Sequence, residues 1–189
     1  MMAQLVRDIV NAPELSNANF AFLWASIGGS KDGDLAHQSK EKFNEYYGGA
    51  CEVNVTDLNA ITRDKVLQQN EIMFFNWSKI KVRNKDGRKL RRDNEQEISW
   101  DRMLQQTHEQ DRDTILIIDE AHVESGTSLA QDEIKSINPR VTIKITATHK
   151  GKGDVDVEVK HNDVVEAGLI KQSIPVSYTH LTLPTNREV

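Results

Sequence analysis

The chain has 189 residues, of which 38% are hydrophobic and 28% are charged, and its net charge is -5. This length allows one ordinary domain or a fragment of a larger protein, and the composition suits a soluble α/β domain. The longest uncharged apolar run, residues 20–25, is too short to cross a membrane, so we expect no membrane contact and a cytoplasmic location. Cys51 is the only cysteine, which excludes an internal disulfide and a cysteine-rich zinc site.

Helices and strands alternate in the prediction from the sequence. Residues 1–12 carry apolar side chains at helical spacing without a preceding cap, so we expect the chain to begin inside a helix. The other predicted helices cover residues 34–47 (with Leu35, Phe43, Tyr46 and Tyr47 toward the core), 59–68, 99–110 (capped by Ser99) and 128–137, and the predicted strands cover residues 20–27, 52–55, 72–76, 114–118 and 141–147. This alternation predicts an α/β three-layer sandwich, in which a mostly parallel sheet has helices on both faces.

The last forty residues differ from the rest. Residues 155–160 alternate with period two, which predicts a half-exposed edge strand. Residues 177–189 form a β-prone polar stretch broken by Pro184 and resemble a translated adapter tail, so we assign them no function. We therefore divide the chain into a main domain at residues 1–149, its continuation at 150–176, and a non-native tail at 177–189.

A basic segment at residues 79–92 stands out from an acidic background. It holds eight basic residues against one aspartate, a charge of +7, which leaves -12 for the other 175 residues. Such a segment can bind phosphates, nucleic acid or an acidic protein. Its Asn-Lys-Asp-Gly sequence at residues 84–87 also predicts a tight turn, so a solvated hairpin tip is the alternative.

The strongest chemical signal follows the apolar strand at residues 114–118. Asp119 and Glu120 come directly after it, and His122 lies two residues further on. In an open parallel sheet, ligands bind beyond the carboxyl ends of the strands, where these carboxylates would lie. One of them can hold Mg²⁺ beside the phosphates of a nucleotide, and the other can deprotonate an attacking water molecule.

A second strand also ends on polar residues. Residues 141–147 are followed by a threonine, so that Thr146 and Thr148 flank Ala147. If the two strands are neighbours, these hydroxyls come within hydrogen-bonding reach of Glu120 or His122 and could relay the state of a bound nucleotide. The alternative is an ordinary strand, because threonine favours strands in any case.

These residues resemble superfamily 2 helicases. The Asp-Glu-Ala-His sequence at 119–122 resembles their motif II, Thr-Ala-Thr at 146–148 resembles motif III, and residues 22–28 with Leu35, Gln38 and Ser39 resemble motif Ia. Over about residues 1–175 the chain is most similar to the restriction (helicase-nuclease) subunit of type III restriction-modification enzymes. Residues 76–80 and 163–171 are also typical of that subunit.

The resemblance implies a RecA-like P-loop NTPase domain that uses ATP and Mg²⁺. In that family, Asp119 would coordinate Mg²⁺, Glu120 would be the catalytic base, and His122 would couple the ATP site to motif III. The remaining residues implied by the resemblance are Thr146, Ala147 and Thr148 for this coupling, and Ser26, Ile27, Gly28, Arg88, Arg91 and Arg92 for binding nucleic acid. The implied partners are DNA and a modification (methyltransferase) subunit. The implied activities are ATP-dependent DNA translocation and site-specific endonuclease cleavage.

The phosphate-binding sequence Gly-x-x-x-x-Gly-Lys-Ser/Thr does not occur in this chain. Gly28 and Gly33 have the required separation, but Asp34 follows them, and an aspartate would repel phosphates. We therefore expect the chain to be a truncated motor domain that starts just after this loop and hydrolyses little or no ATP by itself.

Two alternatives remain from the sequence. The chain could belong to another superfamily 2 branch, such as a repair or RNA helicase, or it could be a non-catalytic nucleic-acid-binding fragment. A metal-nuclease site around Glu158 and Lys160 is disfavoured, because Asp154 and Asp156 lie too close along the same strand to share a metal with them. The three tryptophans are expected to pack in the core or at a sheet edge, and the alternative is that they stack on bases.

Overall fold

The computed structural model of the chain describes residues 2–26, 35–47, 52–61, 65–80, 99–119, 128–146 and 159–166. Its strands are β1 (Phe20–Ser26), β2 (Asn54–Asp57), β3 (Glu71–Asn76), β4 (Asp113–Asp119) and β5 (Val141–Lys144). Its helices are α1 (Met2–Val10), α2 (Leu35–Tyr47), α3 (Trp77–Ile80), α4 (Trp100–Glu109), α5 (Ser128–Ile137) and α6 (His161–Glu166), with 3₁₀ turns at Pro13–Leu15 and Leu58–Ala60. Residues 1–150 form one compact unit and residues 151–189 a second one, to which α6 belongs.

The five strands form one sheet in the order β2-β3-β1-β4-β5, and every neighbouring pair is parallel. All six residues of β3 and six of the seven residues of β1 are buried. Continuous apolar strands of this kind need cover on both faces, and a parallel sheet with helices on each side provides it. The predicted α/β architecture with a parallel sheet is thus confirmed.

Two separate cores lie on the two faces of the sheet. On one face, Leu23, Phe75 and Leu116 pack with Trp100 of α4 and Ile137 of α5. The opposite face packs alternate residues of the same strands against the amino-terminal helices, with Phe22, Trp24, Phe74, Ile115 and Ile117 meeting Val6 of α1 and Phe43 of α2. The period-two alternation of the strands thus supplies both cores, and the helices supply the outer layers.

Several local predictions are confirmed closely. Ser99 caps α4, because its hydroxyl accepts a hydrogen bond from the backbone N–H of Arg102 at 3.2 Å. Trp24, Trp77 and Trp100 are all buried, as expected. Helix α5 spans the predicted residues, and α1 covers most of the predicted amino-terminal helix.

The predicted helix at residues 59–68 is wrong in the part of that stretch that the structure describes. Only one 3₁₀ turn forms, at Leu58–Ala60, and residues 65–68 are not helical. The reason is tertiary: the buried Leu67 donates its N–H to the hydroxyl of Thr107 at 3.1 Å, and its carbonyl accepts from Arg112. The backbone groups that a helix would use are therefore bonded to side chains of distant residues.

Smaller differences concern boundaries and burial. Strand β2 begins two residues later than predicted, β5 ends at Lys144, and Tyr46 is 48% exposed where core packing was predicted. Most of the basic segment and most of the predicted edge strand at residues 155–160 lie outside the described residues. Val159 and Lys160, which are described, are exposed and do not belong to a strand.

Candidate functional site

Three neighbouring strands end on polar residues at the same level. In the parallel ladders, Ser26 of β1 pairs with Asn76 of β3 on one side and with Asp119 of β4 on the other. All three have the strand parity of Trp24 and Phe74, which belong to the core covered by α1 and α2. We call this set the polar row, and it marks the carboxyl ends of the central strands.

Ser26 is the buried centre of the polar row. Only 2% of its surface is exposed, and it ends a strand whose other residues are apolar. A buried hydroxyl is costly without a hydrogen-bond partner. Ser39 of α2 supplies one, because the two hydroxyl oxygens are 3.3 Å apart. The contact joins the end of β1 to the second turn of the helix that covers it.

Asn76 fixes the direction in which the chain leaves β3. Its side-chain oxygen accepts hydrogen bonds from the backbone N–H of Ser78 at 2.9 Å and from the Ser78 hydroxyl at 2.7 Å. This is the geometry of a helix N-cap, and it begins the single turn α3. The basic segment starts at Lys79 within this turn, so its first residue is held at the same end of the sheet as Asp119.

Asp119 differs from the other two residues because it is partly exposed. Residues 114–118 of β4 are buried, and Asp119 then emerges at the rim of the sheet. Strand β5 lies beside β4, with Ile118 paired to Lys144 and the N–H of Ile145 donating to the carbonyl of Ile118 at 2.9 Å. Thr146, which is half-buried, therefore follows one position beyond the level of Asp119.

The carboxylate chemistry at this rim suits Mg²⁺ held together with a nucleotide. Within the described ranges, no three His, Cys, Asp or Glu side chains are close enough to hold a metal ion between them. Mg²⁺ retains several water ligands and needs only one or two carboxylates beside phosphate oxygens, so Asp119 fits this role.

Many predicted site residues lie outside the described part of the chain. They are Ile27, Gly28, Arg88, Arg91, Arg92, Glu120, His122, Ala147 and Thr148. Of the predicted residues that are described, Ser26 and Asp119 are brought together by strand register, and Thr146 follows two residues after the end of the adjoining strand β5. The roles assigned to all of these residues remain predictions.

A separate groove of about 490 Å³ lies between α4 and α5. Its lining residues are Asp101, Leu104, Gln105, His108, Glu109 and Ser136. None of the predicted site residues lines it, and its helices cover the opposite face of the sheet from the polar row. The groove is therefore not the site that the sequence predicted.

The model of one protein family, described as Type III restriction enzyme, res subunit, matches residues 1–151. The chain belongs to this family. The match confirms the resemblance drawn from motifs II, III and Ia, and with the parallel sheet it establishes a RecA-like, helicase-type domain of a restriction subunit family. Neither a comparison with curated proteins nor one with solved structures gave a match. No helix in the described parts of this family member is long and apolar enough to cross a membrane.

Sequence reasoning gave no structural role to three residues that shape the region. Ser39 has a detectable signal, because it is a polar residue on the stripe of α2 that also carries the buried Ala36 and Phe43. Asn76 and Ser78 also have a signal, since Asn-x-Ser after an apolar strand is consistent with a helix cap. In each case the short sequence around the residue suggests a polar contact, whereas the identity of the contact partner depends on the fold.

Proposed function

We propose that this chain is most of the first motor domain of an ATP-dependent DNA translocase, the restriction subunit of a type III restriction-modification enzyme. The parent protein, meaning the longer polypeptide of which the chain would be a part, would act in the cytoplasm with DNA and a modification methyltransferase subunit as partners. Family membership supports the class of domain. The register of Ser26 with Asp119 is the observation that carries the mechanism.

This register puts two tasks of a motor on adjacent strands. Strand β4 ends at Asp119, the carboxylate suited to Mg²⁺, and β1 ends at Ser26, the first residue of the segment assigned to DNA. The two strands share a continuous parallel ladder from Phe20 to Ser26, so a shift of one strand end would act on the other. A translocase requires such a link between its nucleotide site and its polymer site.

The assigned residues divide the hydrolysis step between them. Asp119 would hold Mg²⁺, and the ion, when bound, would neutralise charge on the phosphates of ATP. Glu120 accepts the proton of the attacking water molecule. His122 would couple hydrolysis at the ATP site to Thr146, Ala147 and Thr148, which follow the adjoining strand in the sequence.

The flanks of residues 81–98 support a role for the basic segment in DNA binding. Trp77 and Trp100 both contact Phe75, with ring centroids 6.5 Å and 5.0 Å from it. Both flanks of residues 81–98 are therefore anchored in one aromatic cluster at the carboxyl end of β3. In the sequence, seven of the eight basic residues of the segment lie between these flanks.

Hydrolysis tests the catalytic assignment. In the parent protein, Glu120→Gln should lower the DNA-stimulated kcat for ATP by roughly 10²- to 10⁴-fold, which is what a general base contributes. DNA affinity measured without nucleotide should stay the same. Retention of full DNA-stimulated hydrolysis by the variant would overturn the assignment.

Salt dependence tests the DNA assignment. Reversing Arg88, Arg91 and Arg92 to glutamate should flatten the plot of log affinity against log salt by about 0.9 for each phosphate that these arginines no longer neutralise. The matched control reverses three exposed basic residues on helices, Lys42, Arg102 and Lys135, so that the net charge changes equally. An equal slope change in both triple variants would show a net-charge effect and would remove the basic segment from the site. Tighter binding to RNA than to DNA would favour the RNA-helicase alternative.

A further inference from the structure

We propose that Ser39 is a positioning residue for the Mg²⁺-holding carboxylate of Asp119 and that it acts through Ser26. The proposal rests on the proposed function, because it assigns a metal role to Asp119. It goes beyond that function by assigning a positioning role to a residue of helix α2.

The position of Ser39 on α2 needs an explanation. Its neighbours on the same helical stripe, Ala36 and Phe43, are buried against the sheet. Ser39 itself is half-buried, and a serine on this stripe lowers helix propensity, so an apolar residue would pack at lower cost. The contact between the hydroxyls of Ser39 and Ser26 is what the serine provides.

The number of hydroxyl protons indicates which serine donates in this contact. Two hydroxyl groups carry two protons, and the contact between their oxygens uses only one of them. If Ser39 donates to Ser26, the Ser26 proton is available to a neighbour on the same face of the sheet. The in-register neighbours are Asn76, whose oxygen already accepts two bonds from Ser78, and Asp119, whose carboxylate is negatively charged. A charged acceptor favours the order Ser39 to Ser26 to Asp119.

The distance across the ladder fits this order. Neighbouring strands lie about 4.8 Å apart, and side chains of paired residues point the same way in a parallel ladder. Ser26 can therefore reach the Asp119 carboxylate through a bridging water molecule or after a small rotation of the carboxylate. Because Mg²⁺ demands near-octahedral geometry, a carboxylate held in one orientation binds it better than one that rotates freely.

The test measures metal affinity, which does not depend on turnover. In the parent protein, Mn²⁺ is titrated in the presence of the non-hydrolysable β,γ-imido analogue of ATP and followed by electron paramagnetic resonance. Ser39→Ala should weaken Mn²⁺ binding about 10-fold, the lower end of losses seen when the hydrogen-bond support of a metal ligand is removed. Ser39→Thr, which keeps the hydroxyl, should restore most of the affinity, and Asp119→Asn sets the floor.

A second serine at the same end of the sheet provides the matched control. Ser78→Ala removes a hydroxyl that bonds Asn76, on the other side of Ser26 from Asp119, and should leave Mn²⁺ affinity unchanged. Equal losses in the Ser39 and Ser78 variants would mean general loosening of the strand ends and would overturn the proposal. Unchanged affinity in Ser39→Ala would overturn it as well.

Two further outcomes distinguish a positioning role of Ser39 from a folding defect and from failure of the proposed function. If Ser39→Ala unfolds, Ser39→Cys fills a similar volume with a weaker donor, and it should bind Mn²⁺ with intermediate affinity. A folded cysteine variant with wild-type affinity would contradict the proposal. If Asp119→Asn itself leaves Mn²⁺ binding unchanged, the metal role in the proposed function fails, and the role of Ser39 fails with it.

Discussion

The two ends of the central sheet are built differently. At the amino ends of the strands, polar side chains bind loops that are far apart in sequence. Arg112 donates to the side-chain oxygen of Asn19 at 2.9 Å across 93 residues, and Asn19 donates to the carbonyls of Gln110 and Asp111. At the carboxyl ends, the polar row places one polar residue on each of three strands, and Asp119 is partly exposed.

The carboxylates at the two ends of the sheet also differ in burial. The carboxylate of Glu71, the first residue of β3, is 4% exposed, pairs with Lys65 and accepts from the N–H of Gln68 at 2.7 Å. Its charge is thus paired inside the protein, whereas Asp119 is only partly buried. The amino end is thus held by buried and long-range polar contacts, whereas the carboxyl end is where the proposed chemistry would take place.

The largest expected effect at the amino end is the loss of the Lys65–Glu71 pair. Replacing Lys65 with alanine leaves a buried carboxylate without its cation, and breaking a buried pair in this way costs about 3 kcal/mol of unfolding free energy. Chemical denaturation of the chain measures this cost.

An exposed pair at the same end of the sheet provides the control. Arg140 contacts Asp113 at 3.1 Å, but the two side chains are 67% and 46% exposed. Arg140→Ala should therefore change the unfolding free energy by less than about 0.5 kcal/mol. Equal effects of the two substitutions would mean that burial does not distinguish these pairs.

A smaller loss is expected when the guanidinium of Arg112 is replaced by an ammonium group. Arg112 donates to Asn19, to the carbonyl of Leu67 and to the side chain of Gln110, and a lysine cannot reproduce this planar fork. Arg112→Lys should lower the unfolding free energy by about 1–2 kcal/mol. The exposed Arg7 on α1 serves as control, since Arg7→Lys should have almost no effect. If Arg112→Lys weakened DNA binding without changing stability, the division between the two ends would be wrong.

The fold could be predicted from the sequence where local pattern and burial agree. Strands β1, β3 and β4 are short apolar runs bounded by polar residues, so their positions follow from the pattern alone. The stretch before β3 could not be predicted, because its conformation depends on Thr107 and Arg112. Contacts over 40 residues or more have no signature in a local window.

The candidate site shows the same limit. The motif around Asp119 predicts the carboxylate as a site residue from local sequence alone, and that role stays a prediction. Its register with Ser26, 93 residues earlier, depends on strand order, which no short motif contains. Ser39 could be recognised as a polar residue on an apolar stripe, but its partner became identifiable only when β1 and α2 were placed together.

The smallest expected effect on the unfolding free energy concerns Asp57, at the carboxyl end of β2. Its side chain has a structural role. Lys40 of α2 donates to it at 2.6 Å, and this bond holds the pKa of Asp57 below its usual 3.8, although partial burial opposes the shift. Because the folded pKa is depressed, the stabilisation is complete above the unfolded value and is lost as the pH falls through the folded pKa. The side chains of Lys40 and Asp57 are 25% and 33% exposed. Asp57→Asn should therefore lower the unfolding free energy by only about 0.5 kcal/mol at pH 7, and should not change it in strong acid. Lys40→Met should remove most of this pH dependence. If the unfolding free energies of Asp57→Asn and the wild type differed by the same amount from pH 7 to pH 2, the ion pair would not be the cause.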